Sequence, residues 1–335
     1  MSSRFPQHTS FKLYASQLNR ARFFKMLSFG GTVSYDFQPS RVWKHTVTPF
    51  RLAFNTLQHT TTRFDTIVDK NRSLKISLGN QFIPAMSYTF TYDNAPLKKR
   101  NNLWWETSFT SAGNLTSLVY AAFGKGFKET DKKLLNSPYA QFLKMTSEVR
   151  CLFKVGEKQH IATRLMGGIF VCIWEPDCSA LQRAVLYLGG ANSIRAFTVR
   201  SIGPGSYRPE DKQYGYLDET GDVKLEANVE YRFPILGDLY GAAFLDAGNV
   251  WLLREQKNEE GENIRPGGLL TLRNFAKSIA LGTGVGLRYD LTFLVIRLDL
   301  GIALHDPYDT GKKGYYNIPK FKDGLGLHFA IGYPF

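Results

Sequence analysis

VKLEANVEYRFPI, residues 223–235, alternates almost without interruption. Val223, Leu225, Ala227, Val229, Tyr231, Phe233 and Ile235 occupy the odd positions. Lys224, Glu226, Asn228, Glu230, Arg232 and Pro234 stand between them. Successive side chains of a strand point to opposite faces, so this period describes one long strand with an apolar face and a charged face. The runs downstream repeat the pattern. In Ile279–Tyr289, Ala280, Gly282, Gly284, Gly286 and Arg288 oppose a largely apolar set. In 292–304, Leu294, Ile296, Leu298, Leu300, Ile302 and Leu304 oppose Arg297, Asp299 and Gly301. The last run sets Leu325, Leu327, Phe329, Ile331, Tyr333 and Phe335 against Gly326, His328, Ala330 and Gly332.

Two architectures share this alternation. A soluble sandwich turns its apolar faces inward, whereas a membrane barrel turns them to lipid and lines its interior with the polar faces. Strand length separates the two, because crossing a bilayer as a tilted strand takes roughly 9–11 residues. The runs here are that long or longer, and aromatics at their ends (Trp251, Tyr289, Tyr333, Phe335) suit the girdles of a membrane barrel. The expectation is all-β: a transmembrane antiparallel β-barrel occupying residues 1–335.

Further runs lie near 11–18, 23–37, 43–55, 81–94, 101–112, 114–126, 139–155, 158–174 and 238–253, which makes the expected count thirteen strands. The connections alternate. Short ones fall at Gly113–Asn114, Gly156–Lys158, Leu236–Gly237 and Asp290–Leu291, and long ones at 127–138, 175–222, 254–274 and 305–323. Short turns at one end and long loops at the other are the pattern of outer-membrane barrels. The link 56–80 is an exception, for which Phe64, Ile67 and Val68 suggest one helical turn.

Composition narrows the function. The net charge is +13. Residues 1–165 hold 24 Lys/Arg against 9 Asp/Glu, and residues 166–335 hold 18 against 20. A basic half suits an anionic membrane surface or a polyanion, or simply solvated strand ends; no recognition motif accompanies it, so no nucleic-acid partner is expected. No apolar run is long enough for a transmembrane helix, and the first thirty residues show no leader-type apolar region. The odd cysteine count (Cys151, Cys172, Cys178) argues against a disulfide framework, although Cys172 and Cys178 could pair in an oxidising compartment. His160, His305 and His328 are isolated, so neither a catalytic constellation nor a metal site or cofactor is expected.

Residues 175–222 form a long connection without helical or strand period, a length that marks functional or disordered loops. Within it, LGGANSIRAFTVRSIGPGSY (188–207) carries apolar anchors at Ile194, Phe197, Val199 and Ile202. It also has two glycine turns and two arginines, Arg195 and Arg200. Such a loop is built to dock.

These residues carry a resemblance. SIRAF (193–197) followed by GPGSY (203–207) resembles the sixth extracellular loop of the BamA/TamA family of outer-membrane assembly barrels, with its V-R-G-F type motif. EYRFP (230–234) and FLDAGNVW (244–251) resemble the family's next two strands, and the terminal Phe335 resembles a barrel-insertion signal. The likeness runs from about residue 11 onward and is nearest the TamA-like, lipoprotein-type branch of Bacteroidetes, the bacterial surface antigens.

The resemblance implies a site. Ile194, Arg195, Ala196 and Phe197 would form the loop motif. Glu230, Asp246 and Gly248 would accept it on the inner wall, and Phe329, Ile331, Tyr333 and Phe335 would form the insertion signal. Alternation agrees in putting Glu230 and Asp246 on one face. Unpaired buried acids are costly, and the planar fork of Arg195 can bridge two carboxylates. By residue type alone, acids facing water with Arg195 outside fit equally well; the order of the motifs favours docking. Gly248 is expected to leave room for the loop. Ala196 stands where the family usually has glycine.

Sixteen strands are the family's number, so thirteen imply about three more upstream, with periplasmic POTRA repeats and a signal sequence beyond them. The sheet as given is expected to stay open, its edge run 11–18 unpaired on the outer side. The implied function is assistance in inserting or translocating proteins at the bacterial outer membrane. Outer-membrane lipid or lipopolysaccharide, unfolded client proteins and a periplasmic assembly subunit would be the partners. A two-partner-type secretion pore and a passive surface-antigen barrel are the alternatives.

Overall fold

The computed structural model describes all residues except 1–6, 21–23, 61–79, 125–132, 135–136, 140, 174–185, 209–219, 258–260 and 274. Twelve antiparallel strands form one sheet in chain order. They are β1 (Gln7–Arg20), β2 (Phe24–Phe37), β3 (Trp43–Thr60), β4 (Gln81–Asp93), β5 (Asn102–Ala112), β8 (Phe142–Lys154), β9 (His160–Cys172), β10 (Val223–Leu236), β11 (Leu239–Trp251), β12 (Ala280–Asp290), β13 (Val295–His305) and β14 (Leu325–Ile331). A two-stranded ribbon, β6 (Lys133–Leu134) with β7 (Ser137–Pro138), forms a separate sheet, and an α-helix, α1, spans Asn114–Ala122. Among the described residues no ladder joins β1 to β14.

Among the described residues the sheet holds twelve strands where about thirteen were expected. Residues 114–126 were expected as a strand and instead begin with α1. Gly113, at φ 68°, ends the extended run of β5, and the Ser117 N–H then donates to the Gly113 carbonyl at 2.9 Å. Leu115, Leu118, Val119 and Ala122 recur at helical spacing, which outweighs the local run of apolar residues. The link expected at 56–80 begins later, because β3 continues to Thr60; the helical turn expected around Phe64–Val68 lies outside the described residues.

The chain forms two compact units. The first comprises Met1–Tyr92, Glu106–Thr146 and Phe170–Val185. Its hairpin β1–β2 is paired from Gln7↔Phe37 to Arg20↔Phe24. Phe11, Leu13, Phe29, Phe50 and Leu52 are exposed, while Ser28, Thr48, Asn55 and Thr107 are buried. Polar residues are therefore inside and apolar ones outside, the reverse of a soluble sheet. Ala112, Phe142 and Phe170 form a small core, the centroids of the two phenyl rings 4.9 Å apart. Phe170→Ala is expected to cost about 3–5 kcal/mol through the cavity it leaves; a lower denaturant midpoint in detergent, with unchanged slope, checks this.

The second unit comprises Asp93–Trp105, Ser147–Ile169 and Leu186–Phe335. Its strands repeat the inversion. Val229, Leu245, Val285, Leu287, Leu300, Leu327, Phe329 and Ile331 are exposed, whereas Glu226, Asn228, Glu230, Asp246, Arg288, Arg297 and Asp299 are buried. The buried polar face is covered by the chain itself: Leu186, Leu188, Ile194, Ala196, Phe197 and Ile202 form a core with Val250, Ala280, Ala303 and Ile318. Val199, expected as an anchor, is exposed. Cys172 is disulfide-bonded and Cys151 is free; Cys178 lies outside the described residues.

Candidate functional site

The site is the contact between the stretch 188–207 and the buried face of β10 to β14. Alternation positions its wall. Glu226, Asn228, Glu230 and Arg232 lie two apart on β10, and the ladder places Asn228 opposite Asp246 of β11. On β12 and β13 the register pairs Arg288 with Arg297 and Gly286 with Asp299. On β14 His328 stands opposite Asp299 and Gly326 opposite Gly301. One band of the sheet thus carries several charges beside several glycines.

Arg195 reaches into this band and is fully buried. Its Nε and Nη2 donate to Asp246 Oδ2 and Oδ1, each at 2.9 Å, a bidentate fork. Its backbone N–H donates to the same carboxylate at 3.1 Å, and Nη1 donates to Glu230 Oε2. The guanidinium carbon lies 3.4 Å from the centroid of the Phe244 ring, so a cation–π contact fills the face left by the hydrogen bonds. The structure therefore brings Arg195, Glu230 and Asp246 together. Arg195 is held by side-chain fork and main chain at once, which fixes the loop tip as well as the charge.

Other charges complete the cluster. Arg288 donates to Glu230 at 3.1 Å and to Asp299 at 2.5 Å, and Arg232 donates to the second oxygen of Glu230 at 2.8 Å. Glu230 is consequently shared by three arginines. Asn228 Nδ2 donates to Asp246 and to the Ser193 carbonyl, and Arg297 donates to the Asn192 side chain. His328 Nε2 lies 2.7 Å from the Arg195 carbonyl; a carbonyl only accepts, so this nitrogen carries the proton. Such a network makes each member costly to remove singly, because its partners are left charged and buried. At the foot of the loop, Asp222 accepts from the Leu253 N–H at 3.0 Å, and burial pushes its carboxyl above the ordinary carboxylate range.

Glycines beyond the expected one make room for the loop. A Cβ added to Gly248 would lie 2.4 Å from the Leu225 carbonyl, in the neighbouring strand. The loop tip instead rests on Gly282, Gly301 and Gly326. A Cβ at Gly301 would lie 2.4 Å from the Arg195 carbonyl oxygen, and one at Gly326 2.8 Å from the same atom. One at Gly282 would lie 2.6 Å from the Ala196 methyl. The methyl of Ala196 is thus accommodated by the missing side chain of Gly282. Ile194 and Phe197 enter the core around it.

The C-terminal residues separate into two groups. Phe329 and Ile331 are exposed on β14, as expected. Tyr333 and Phe335 do not continue that face. Gly332, at φ 86°, ends the strand, and its N–H donates to the Val295 carbonyl at 2.7 Å. The Tyr333 ring then lies 4.2 Å from the Arg232 guanidinium carbon, and Arg232 Nη2 donates to the Phe335 carbonyl at 3.4 Å. The chain end is tied to the charged wall through Arg232, itself bonded to Glu230.

Arg288, Arg297, Asp299, His328 and the three glycines were not among the residues expected at the site. Their signal was present, since all of them occupy polar positions of alternating strands. Among the described residues no group of His, Cys, Asp or Glu could hold a metal ion.

The Omp85 superfamily domain matches residues 3–335. Among solved structures, BamA from Haemophilus ducreyi lacking POTRA domains 1-3 is similar in fold at 13% identity and a TM-score of 0.59, over 97% of this chain and 58% of that one. CdiB from Escherichia coli is similar at 14% identity and a TM-score of 0.50, over 97% and 49%. The chain therefore spans about half the length of these two structures. With a family match over nearly all its residues, inverted alternation and a charged face covered by its own loop, the chain belongs to the Omp85 superfamily, the β-barrel proteins of the bacterial outer membrane.

Proposed function

We propose that this chain is the membrane part of a device that inserts or translocates other polypeptides at the outer membrane, acting by strand exchange and local thinning of lipid rather than by covalent chemistry. The single observation that carries the reading is the buried fork of Arg195 on Asp246 and Glu230. It makes the loop an internal strut that holds the wall of β10 to β14 in one geometry. Unfolded client proteins, outer-membrane lipid or lipopolysaccharide and a periplasmic assembly subunit are the partners this reading requires.

Depletion in the native cell tests it. Several outer-membrane proteins should fall together, and wild-type chain should restore them while Arg195→Ala should not. Loss of one secreted polypeptide alone would point to a dedicated secretion pore. Unchanged outer-membrane and secreted proteins would leave a passive surface antigen.

Within this reading the chain end is the chain's own insertion signal. Deleting Phe335 is expected to lower the folded, heat-modifiable fraction in the outer membrane severalfold while synthesis stays constant. Electrophoresis of unheated membrane samples measures it; an unchanged folded fraction would remove the assignment.

A further inference from the structure

The helix α1 is built inside out. Its sequence, NLTSLVYAA, has no charged residue. Its polar side chains turn toward the protein. Ser117 is fully buried and its hydroxyl lies 2.8 Å from the Tyr139 hydroxyl. Asn114 Nδ2 donates to Ser111 Oγ at 2.9 Å and to the Phe142 carbonyl at 3.3 Å, and Asn114 Oδ1 accepts from Gln141 at 3.4 Å. Tyr120 stacks on Tyr139 with ring centroids 6.3 Å apart. The apolar side chains turn away. Leu115, Val119 and Ala122 are exposed, Leu118 is 61% exposed and Phe123, just past the helix, 83%.

A helix on a water-facing surface shows the opposite arrangement, with its apolar stripe on the core and its polar stripe outward. Here hydrogen bonds fasten the polar stripe and leave an apolar one uncovered. The strands flanking the helix say what covers it. α1 follows the last residue of β5 and packs beside the first residue of β8, and both strands carry exposed apolar side chains: Phe109 on β5, Leu143 and Met145 on β8. In an outer-membrane chain that outward strand face meets lipid. Asn114 is bonded to Ser111 of β5 and to the Phe142 carbonyl of β8, so the exposed stripe of α1 stands at the ends of these two strands.

We propose that α1 is an interfacial helix whose Leu115, Leu118, Val119 and Phe123 side chains enter bilayer lipid at that end of the strands, anchoring the connection between β5 and β8 at the boundary of headgroups and acyl chains. Its occupant is lipid, and not a second protein. The helix holds the local edge of the membrane at a fixed depth on the sheet, which couples the position of β5 and β8 to the thickness of the bilayer.

The test uses the full chain in phospholipid vesicles. Cys151, the free cysteine, is replaced by serine, and Leu118→Cys or Val119→Cys is labelled with a small polarity-sensitive fluorophore. The Cys151→Ser parent treated identically supplies the blank, and Lys99→Cys, in the exposed connection before β5, supplies the water-facing reference, with iodide present on both sides of the membrane. Both replaced side chains are exposed, so folding, read by heat-modifiable migration, should be retained. Labels at 118 and 119 are expected to be quenched by phospholipids carrying a shallow nitroxide and to be at least about threefold less quenched by iodide than the label at 99, as for side chains lodged several ångströms into the interface. Equal iodide quenching at 118 and 99 would overturn the proposal. So would protection from iodide without quenching by nitroxide lipid, which would mean a protein cover.

Discussion

Asp246→Lys releases the loop from the wall. The change removes the acceptor of both fork bonds and of the Arg195 N–H, and sets a second cation against the guanidinium. Breaking a buried pair costs about 3–5 kcal/mol, a factor of roughly 10²–10⁴ in the docking equilibrium. Reversal adds repulsion from Arg195 to that loss, while Glu230 and Asp299 already have Arg288. Asp246→Asn is expected to be milder, since the amide oxygen still accepts one bond and Asn228 still reaches the position. The order of damage should be Lys, then Asn, then wild type, read as the rate of limited proteolysis within 188–207 of the folded protein in detergent. Proteolysis at the wild-type rate in Asp246→Lys would show that the fork does not hold the loop.

Gly301→Val should have an effect of similar size by a different route. No charge changes, and valine suits a strand. Yet a Cβ at 301 would lie 2.4 Å from the Arg195 carbonyl oxygen and 2.7 Å from the Ala196 nitrogen, both backbone atoms of the docked tip. A rotating side chain cannot relieve a clash with backbone, so the tip must lift and the fork on Asp246 must lengthen with it. Protease sensitivity of 188–207 should match that of Asp246→Lys, and the double variant should be little worse than either, because each removes the same docked state. Gly241→Ala supplies a comparison. There the added atom meets the Phe233 ring and the Ile235 side chain rather than the loop or its partners, so it should destabilise the sheet without selectively exposing the loop. Full protection of the loop in Gly301→Val would contradict the close packing of tip and sheet.

The parts of the fold that follow from alternation were legible in the sequence. Glu230 and Asp246 share a face because each sits at an inward position of its own strand, and that much needs no knowledge of neighbours. Gly248 shows the limit. It also points inward, but what a glycine makes room for depends on the chain lying over it, and the glycines found against the Arg195–Ala196 backbone and methyl are Gly282, Gly301 and Gly326, on β12 to β14. Arg288, Arg297 and Asp299 were visible as polar-face residues. The pairing of Arg288 and Arg297 with Asp299, and of Arg288 with Glu230, depends on the register of β12 against β13, which includes a shift between Leu281 and Gly282. The helix α1 resembled a strand because it has no charged residue and mixes apolar side chains with small polar ones. Only the spacing of Leu115, Leu118, Val119 and Ala122 distinguished it. Tyr333 has the parity of an outward residue, and a single positive-φ glycine before it, Gly332, redirects the chain end toward Arg232.

The central claim is that the loop lies inside, forked onto the wall. An experimental structure of the full chain in a lipid nanodisc tests it most directly, through the position of the Arg195 side chain. The account predicts the guanidinium within hydrogen-bond distance of both the Asp246 and Glu230 carboxylates, with the Arg195 carbonyl against Gly301 and Gly326. A structure with Arg195 beyond about twice that distance from either carboxylate, and the two acids facing solvent, would contradict it.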